Sequence, residues 1–269
     1  MKNSADRFRK ICSNIKSLKI QGATDIAKAA IAAYYLKPTI ETKKKLINLR
    51  PTEPMLVNVI NLLEKHPREK IIIHFQKAQK KINSFVCKII KNESIIFTHC
   101  HSTNVIKALI YSKNKGKKFE VYNTETRPLF QGRITSRELA KAGIKVTEFV
   151  DSAMHEAIKR ADVVFLGADA ILKSCVINKI GSGAIAEIAS VHKKPLYIAA
   201  DSWKFTPKNL PLEERDFHEV WKYAPKHIKI RNPAFEKVEK KYIKGIVSDF
   251  GILKFDKFIK KALMSKKEV

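Results

Sequence analysis

Residues 94–104 read Ser-Ile-Ile-Phe-Thr-His-Cys-His-Ser-Thr-Asn, and the sequence changes character at this stretch. The apolar run from Ile95 to Thr98 predicts a buried strand. The apolar spacing from Val105 to Tyr111 predicts a helix, and only a short polar turn separates the two. Because a strand that turns into a helix is the first half of a β-α-β unit, the stretch predicts an α/β sheet.

The same alternation of strand and helix repeats towards the C-terminus. Most of the predicted strands are apolar on both faces, which requires helices on both sides of the sheet. Repeated units of this kind predict a parallel, right-handed, doubly wound Rossmann-like sheet. The predicted strands are 95–98, 119–122, 145–150, 163–166, 195–199 and 245–248, and the predicted helices are 105–111, 136–142, 154–160, 184–192 and a last one from Phe255.

The sequence before residue 93 has a different pattern. Glycine is almost absent there, and apolar residues recur at three- and four-residue spacing, as at Leu56, Val59 and Ile60. Breaks at Gly22 and at several prolines divide the region into short helices, followed by one longer amphipathic helix from Glu69 to Lys91. We therefore predict an N-terminal helical domain at 1–92 and a Rossmann-like α/β catalytic domain at 93–269.

The net charge of the chain is +27, from 53 Lys and Arg against 26 Asp and Glu. The lysines lie in short clusters along the whole chain and are not interleaved with aromatic residues, as they would be on a platform for single-stranded nucleic acid. The charge therefore favours attraction of an anionic small molecule, and a nucleic-acid partner is not expected.

The sequence gives no sign of a membrane or metal protein. No apolar stretch reaches the roughly 20 residues that cross a bilayer, and the first residues lack the apolar core of a secretory signal, so we expect a cytoplasmic protein without a membrane partner. The four cysteines form no CxxC pair and no zinc spacing. We expect no metal and no cofactor.

The turn after the first predicted strand is the first candidate site. Its backbone N–H groups and the hydroxyls of Ser102 and Thr103, with Asn104 beside them, are placed to bind a phosphate at a helix N-terminus. Cys100 would feel the helix dipole, which lowers a thiol pKa, and the histidines on either side would add to this effect. The alternative is a capped helix with an incidental thiol.

Polar residues also follow the other predicted strands. Asp169 comes just after the buried strand 163–166, where burial would raise its pKa and suit it to proton donation, unless it only caps a helix or turn. Gln131 follows the second strand and is placed to reach a ligand hydroxyl. Asn178 and Lys179 precede the Gly-Ser-Gly turn at 181–183, and Lys179 supplies charge for an anion there.

These loops, in this order, resemble a family that contains ribose-1,5-bisphosphate isomerase, methylthioribose-1-phosphate isomerase and the regulatory α, β and δ subunits of initiation factor 2B. The resemblance covers nearly the whole chain, and its motifs are specific in combination. They are Gln21-Gly22-Ala23, Leu49-Arg50-Pro51-Thr52, Thr98 to Ser102, Thr124 to Pro128 with Gln131-Gly132, Gly167-Ala168-Asp169, Asn178 to Gly181, Ala200 to Phe205 and Arg231 to Phe235.

The resemblance implies an aldose-ketose isomerase. The regulatory subunits typically lack the catalytic Cys and Asp, whereas this chain has Cys100 and Asp169, and it reads Cys100-His101-Ser102 as the bisphosphate isomerases do. The implied route converts ribose 1,5-bisphosphate to ribulose 1,5-bisphosphate through a cis-phosphoenolate, in AMP and nucleoside degradation feeding RuBisCO. The implied substrate-binding residues are Gln21, Gly22, Ala23, Arg50, Ser102, Thr103, Asn104, Gln131, Asn178, Lys179 and Lys204.

Two other functions remain open at this point. One is isomerisation of methylthioribose 1-phosphate, and the other is a regulatory role like that of the initiation factor 2B subunits. The family also implies a homo-oligomer, either dimer or hexamer, and makes AMP a candidate activator. In relatives the loop at Gln21 usually reads Arg-Gly-Ala, so this chain differs at one expected contact.

Overall fold

The structure is a computed structural model that describes residues 2–17, 19–20 and 22–267. None of the helices in this part of the chain is long and apolar enough to cross a membrane. The helices are α1 (Lys2–Lys16), α2 (Ala23–Tyr34), α3 (Ile40–Leu49), α4 (Pro54–Leu62), α5 (Arg68–Ile89), α6 (Thr103–Asn114), α7 (Gln131–Lys141), α8 (Met154–Arg160), α9 (Ser182–Val191) and α10 (Phe255–Lys267). The strands are β1 (Ser94–His99), β2 (Phe119–Thr124), β3 (Lys145–Phe149), β4 (Val163–Leu166), β5 (Ala170–Ile171), β6 (Cys175–Lys179), β7 (Leu196–Ala199), β8 (Phe235–Glu239), β9 (Gly245–Ser248) and β10 (Gly251–Leu253).

The predicted α/β class is confirmed by a seven-stranded sheet of order β10-β9-β7-β4-β1-β2-β3. Its strands are parallel except β10, which runs antiparallel to β9. Strand β4 is buried along its whole length, as the apolar sequence of a strand covered on both faces requires.

The strand order reverses between β1 and β4. From β1 the chain builds outward through β2 and β3, and from β4 it builds in the opposite direction through β7 and β9. Connections therefore leave β1 and β4 towards opposite sides, which opens a crevice beyond their carboxyl ends.

A second sheet, with order β5-β6-β8, was not predicted from the sequence. It is antiparallel, and Asn178 and Lys179, which we expected in a loop, pair in β6 with Glu236 and Phe235 of β8. The reason is long-range pairing: β6 and β8 are each only five residues long, and α9, β7 and a long irregular segment lie between them in the chain.

Helix ends in the N-terminal bundle follow local sequence rules. Thr39 precedes α3 and accepts a hydrogen bond from the backbone N–H of Thr42 at 3.2 Å, as an N-cap residue does. Pro54 is the first residue of α4, where its missing N–H costs nothing. The predicted long helix is α5.

Helix α5 belongs to two cores. Ile71 and Phe75 in its first half pack with the buried side chains of α1 to α4. Ile82, Val86 and Ile90, near its end, pack with β1 and β2 of the main sheet. The helices give way to strands between α5 and β1, and the second half of α5 packs with the sheet, so the domain boundary at residue 92 stays a prediction.

His74 of α5 joins the helical region to the end of the main sheet. Its ring stacks on Trp203 with centroids 3.6 Å apart, and its Nε2 lies 3.1 Å from Asp201 Oδ1. Burial, and to a smaller extent the charge of Lys81, oppose protonation of His74. The hydrogen bond to Asp201 and the charges of Asp201 and Asp249 outweigh them, so the pKa of His74 is raised. The contact between α5 and the end of the main sheet is therefore strongest when His74 is charged.

We expect His74→Ala to lower the free energy of unfolding by about 2 kcal/mol at pH 6, because a buried charge-assisted bond and a stacked ring are lost. Because the pKa of His74 is higher in the folded state, protonation of His74 stabilises the folded chain fully below the unfolded-state pKa of about 6.5. This stabilisation is lost as pH rises through the folded-state pKa. Urea unfolding should therefore show a smaller loss at pH 8.5. The exposed His227→Ala is the control, and an equal loss for His74→Ala at both pH values would contradict the raised pKa.

Candidate active site

A cavity of about 890 Å³, counted with its open mouth, fills the crevice beyond β1 and β4. The N-terminal ends of α2, α6 and α7 and the end of β6 form its other walls. Gln21 lies outside the described residues. The sequence-predicted residues that line the cavity are Gly22, Ala23, Arg50, Cys100, Ser102, Thr103, Gln131, Asp169, Asn178, Lys179 and Lys204.

Asn104 does not line this cavity. Its side-chain amide donates to Gln79 Oε1 of α5 at 2.9 Å, and Gln79 donates back to the Asn104 carbonyl at 3.3 Å. Each residue of a helix turns the side chain by about 100°. Ser102 and Thr103 at the start of α6 can therefore line the cavity while Asn104 bonds to the neighbouring helix.

Cys100 follows β1 directly and has a left-handed backbone, with φ of 65°. This conformation is unfavourable for a residue with a side chain, so neighbouring bonds must hold it. The Cys100 N–H donates to Thr126 Oγ1 at 3.0 Å, and its carbonyl accepts from Thr135 Oγ1 at 2.7 Å. The half-buried side chain is thereby fixed on the cavity wall.

Burial raises the pKa of the Cys100 thiol to about 12, and the nearby Lys179 ammonium only partly opposes this. The histidines on either side do not help, because burial lowers the pKa of both His99 and His101. His99 Nε2 lies 2.8 Å from the Ile180 carbonyl, to which it donates as a neutral ring. The expectation of a lowered thiol pKa is therefore wrong for the unliganded chain, because burial outweighs the helix N-terminus.

Asp169 lies beyond β4, across the strand reversal from Cys100. No described helix begins there, and its backbone N–H donates to the Ile177 carbonyl at 2.9 Å, leading into β5. Burial raises the pKa of Asp169, against the opposing charges of Lys204, Arg50 and Lys179. A carboxyl with a raised pKa is suited to proton donation near neutral pH.

Three cations line the cavity and are themselves buried. Arg50, Lys179 and Lys204 are 7%, 6% and 6% exposed. Burial lowers the pKa of Lys204, and the charge of Asp169 is the main opposing effect. Buried cations are rare unless they are paired, so this concentration around one cavity favours an anionic ligand.

Helix N-termini add to the positive potential of the cavity. Helix α2 begins after Gly22, whose φ of 82° suits glycine, and α6 begins after Ser102. No side chain among the described residues caps either helix. Their first backbone N–H groups therefore lie at the cavity wall without a capping side chain, as at other anion sites.

Neutral polar groups complete the wall. Ser102 Oγ is buried, and within the described part of the chain it has no hydrogen-bond partner. Gly167 leaves room for it, because a Cβ at residue 167 would lie 2.5 Å from that hydroxyl. Asn178 donates to Ser182 Oγ at 2.8 Å, which fixes its amide next to the cavity.

Sequence analysis missed several residues of the wall, among them Glu53, Arg215 and Phe235. Glu53 stands three residues after Arg50, where the prolines around it indicate only a helix break. Arg215 lies in the irregular segment before β8 and pairs with Glu219. Phe235 begins β8 and reaches the cavity through the unpredicted second sheet, for which the sequence carries no local signal.

One cluster within the described residues brings together side chains of metal-ligand type, and it lies outside the cavity lining. It consists of His74, Asp201 and Asp249. Asp249 accepts hydrogen bonds from the backbone N–H and hydroxyl of Ser202, both at 2.9 Å. His74 bonds to Asp201 and Asp249 bonds to Ser202, so each group already has a partner where α5 meets the end of the main sheet.

The sequence profile of the Initiation factor 2 subunit family matches residues 17–255. The chain belongs to this family. Ribose 1,5-bisphosphate isomerase of Methanocaldococcus jannaschii is 37% identical to it, over 92% of this chain and 92% of the relative. With several archaeal relatives of 32% identity or more named as isomerases, the chain is an isomerase of the Initiation factor 2 subunit family.

Solved structures show the same family fold. Translation initiation factor eIF-2B of Pyrococcus horikoshii OT3 has a TM-score of 0.83 at 25% identity, covering 92% of this chain and 97% of its own. The 5-methylthioribose 1-phosphate isomerase of that organism has a TM-score of 0.79 at 23% identity, covering 96% and 88%. The fold is thus shared by proteins named as an enzyme and as a translation factor, so the fold alone does not decide the function.

We expect the rate of alkylation of Cys100 by iodoacetamide to be low at pH 7, because only the thiolate reacts. The rate should increase about tenfold with each pH unit and should still be increasing above pH 10. An ordinary thiol would level off above its pKa of about 8.5. Mass spectrometry of the Cys100 peptide gives the rate, Cys100→Ser confirms the assignment, and circular dichroism shows that the chain stays folded. A plateau at about pH 9 or below would contradict the raised pKa of the Cys100 thiol.

Proposed function

We propose that the chain converts ribose 1,5-bisphosphate to ribulose 1,5-bisphosphate. The observation that supports this most directly is that Cys100 and Asp169, beyond two strands on either side of the strand reversal, line one cavity with three buried cations. Each phosphate monoester carries about −1.5 to −2 charges at pH 7. A bisphosphate therefore matches Arg50, Lys179 and Lys204 better than a singly phosphorylated sugar does.

The first step opens the sugar ring. Asp169 gives its proton to the ring oxygen while the Cys100 thiolate takes the proton from C2. The C2–H electrons form the C1–C2 double bond, and the bond from C1 to the ring oxygen breaks. The product of this step is a cis-phosphoenol, which carries the phosphate on C1 and a hydroxyl on C2 and gives the cis-phosphoenolate when that hydroxyl loses its proton. Asp169 is then ionised and Cys100 is protonated.

The second step restores both groups. The Asp169 carboxylate takes the proton of the C2 hydroxyl, a carbonyl forms at C2, and the Cys100 thiol gives its proton to C1. C1 is reduced and C2 is oxidised, so electrons balance within the sugar. Exclusion of water from the crevice protects the enolate during this transfer.

The proton shared by the pair explains how a thiol with a high pKa can act as a base. A protonated Cys100 beside an ionised Asp169 carries the same number of protons as the productive form, in which Cys100 is ionised and Asp169 protonated. The two forms differ only in which group holds the proton. Burial raises the pKa of both groups, and Lys179 favours both anions. Activity should therefore not require loss of a proton from the site as a whole.

The remaining contacts follow from the lining of the cavity. Arg50, Lys179 and Lys204 hold the two phosphates, and the N-terminal N–H groups of α2 and α6 add hydrogen bonds. Gln131 and Asn178 orient the sugar hydroxyls. We propose that the reaction belongs to AMP and nucleoside degradation, with its product feeding RuBisCO. A cytoplasmic homo-oligomer, dimer or hexamer, and activation by AMP remain predictions.

The purified chain should form ribulose 1,5-bisphosphate from ribose 1,5-bisphosphate, as detected by phosphorus NMR, and should act less well on methylthioribose 1-phosphate in a parallel assay. Cys100→Ser and Asp169→Asn should each lower kcat by at least about 1,000-fold, because each removes a proton-transfer group. Both variants should still bind the bisphosphate.

Cys87→Ser and Asp256→Asn are the matched controls, since Cys87 and Asp256 lie outside the cavity lining and should leave kcat within about twofold. A folded wild-type chain that forms no ribulose 1,5-bisphosphate would disprove the proposed substrate. Full activity in Cys100→Ser would disprove the proposed base.

A further inference from the structure

Glu53 is a buried acid on the cavity wall that the reaction described above does not use. It precedes α4, and only 3% of its surface is exposed. Its Oε1 accepts one long hydrogen bond from Arg50 Nη2 at 3.4 Å. Its Oε2 is buried and has no hydrogen-bond partner among the residues that the structure describes. Glu53 is therefore either a carboxylate with one oxygen that lacks hydrogen bonds or a neutral carboxylic acid.

The charges that face Glu53 come from every segment around it. Arg50 and Lys204 are positive, whereas Asp169 and Glu213 are negative. Arg50 Nη2 lies closer to Glu213, at 3.0 Å, than to Glu53. The guanidinium charge is therefore shared with a carboxylate that lies closer to it, so Glu53 is only partly paired.

An ionised Glu53 would be unfavourable in this position. A buried carboxylate needs pairing and full hydrogen bonding, and one oxygen here has neither. Burial and the charge of Asp169 raise the pKa of Glu53 to about 8, with Arg50 and Lys204 opposing. At pH 7 the side chain is thus mainly a neutral acid.

A neutral carboxyl differs from a carboxylate in what it can bind. It carries an O–H donor, whereas a carboxylate only accepts. A donor on the unpartnered Oε2 has no acceptor among the described residues, and Glu53 lines the cavity beside Arg50 and Lys204. A phosphate oxygen would accept this hydrogen bond and would be repelled by the ionised form.

We propose that Glu53 is a phosphate-binding residue that acts as a neutral carboxylic acid, donating the hydrogen on Oε2 to a phosphate oxygen held by Arg50 and Lys204. The sugar bisphosphate as the natural ligand rests on the proposed function, whereas phosphate binding by Glu53 does not. The site thereby recognises its anion with a titratable donor, and binding should weaken as that donor ionises.

Calorimetric titration of the full chain with ribulose 1,5-bisphosphate, and separately with inorganic phosphate, tests this at pH 7 and pH 9. The variants are Glu53→Gln, which keeps a donor that cannot ionise, and Glu53→Ala, which has none. Glu64→Gln is the matched control, because Glu64 is exposed and pairs with Lys43 away from the cavity.

A group of pKa about 8 is about nine-tenths protonated at pH 7 and about one-tenth at pH 9. The ratio of the wild-type dissociation constant to that of Glu53→Gln should therefore rise about tenfold between these pH values. Taking this ratio removes effects shared by both proteins, such as titration of Lys204 or of the ligand. Glu53→Ala should bind at least about fivefold more weakly than wild type at pH 7, and Glu64→Gln should follow wild type.

A ratio that stays constant, with Glu53→Gln weaker than wild type at both pH values, would show an ionised partner of Arg50 and would overturn the proposal. Urea unfolding of each variant separates lost binding from lost folding. The phosphate titration separates the two proposals: a tenfold change for phosphate without any bisphosphate binding would retain the role of Glu53 and reject the proposed substrate.

Discussion

The reversal of strand order between β1 and β4 is the constraint on which the rest of the molecule depends. Because the connections leave these strands towards opposite sides, a crevice forms beyond their carboxyl ends. Cys100 and Asp169 follow the two strands that flank this point, and the N-terminus of α6 opens beside them. A sheet built in one direction only would not bring these residues into one cavity.

Burial is what makes this crevice chemically distinctive. Three nearly inaccessible cations face carboxyls whose own pKa values burial raises, at Asp169 and Glu53. Charges so poorly hydrated are costly in an unliganded protein, and an anionic ligand that pairs with the cations relieves that cost. Burial of these charges therefore costs stability and favours the binding of an anion.

The site is also held rigidly from outside. Thr126 and Thr135 bond to the backbone of Cys100 and maintain its left-handed conformation, and Gly167 leaves the space that Ser102 occupies. The helical region closes one side of the cavity and is tied to the sheet by His74 and Trp203. Proton transfer over short distances needs such fixed positions, because small displacements of a base lower the rate steeply.

Local sequence alone determined the alternation of strands and helices, and with it the positions of Cys100, Ser102 and Asp169 just after strands. Hydrophobic periodicity is a short-range signal, and the carboxyl ends of parallel strands lie at the same edge of the sheet whatever sequence connects them. Only the tertiary structure decided the rest: the pairing of β6 with β8, the bond between Asn104 and Gln79, the presence of Glu53 in the cavity and the protonated state of Cys100. Each of these depends on contacts between segments far apart in sequence, and on the loss of water around a side chain, which no local pattern of residues specifies.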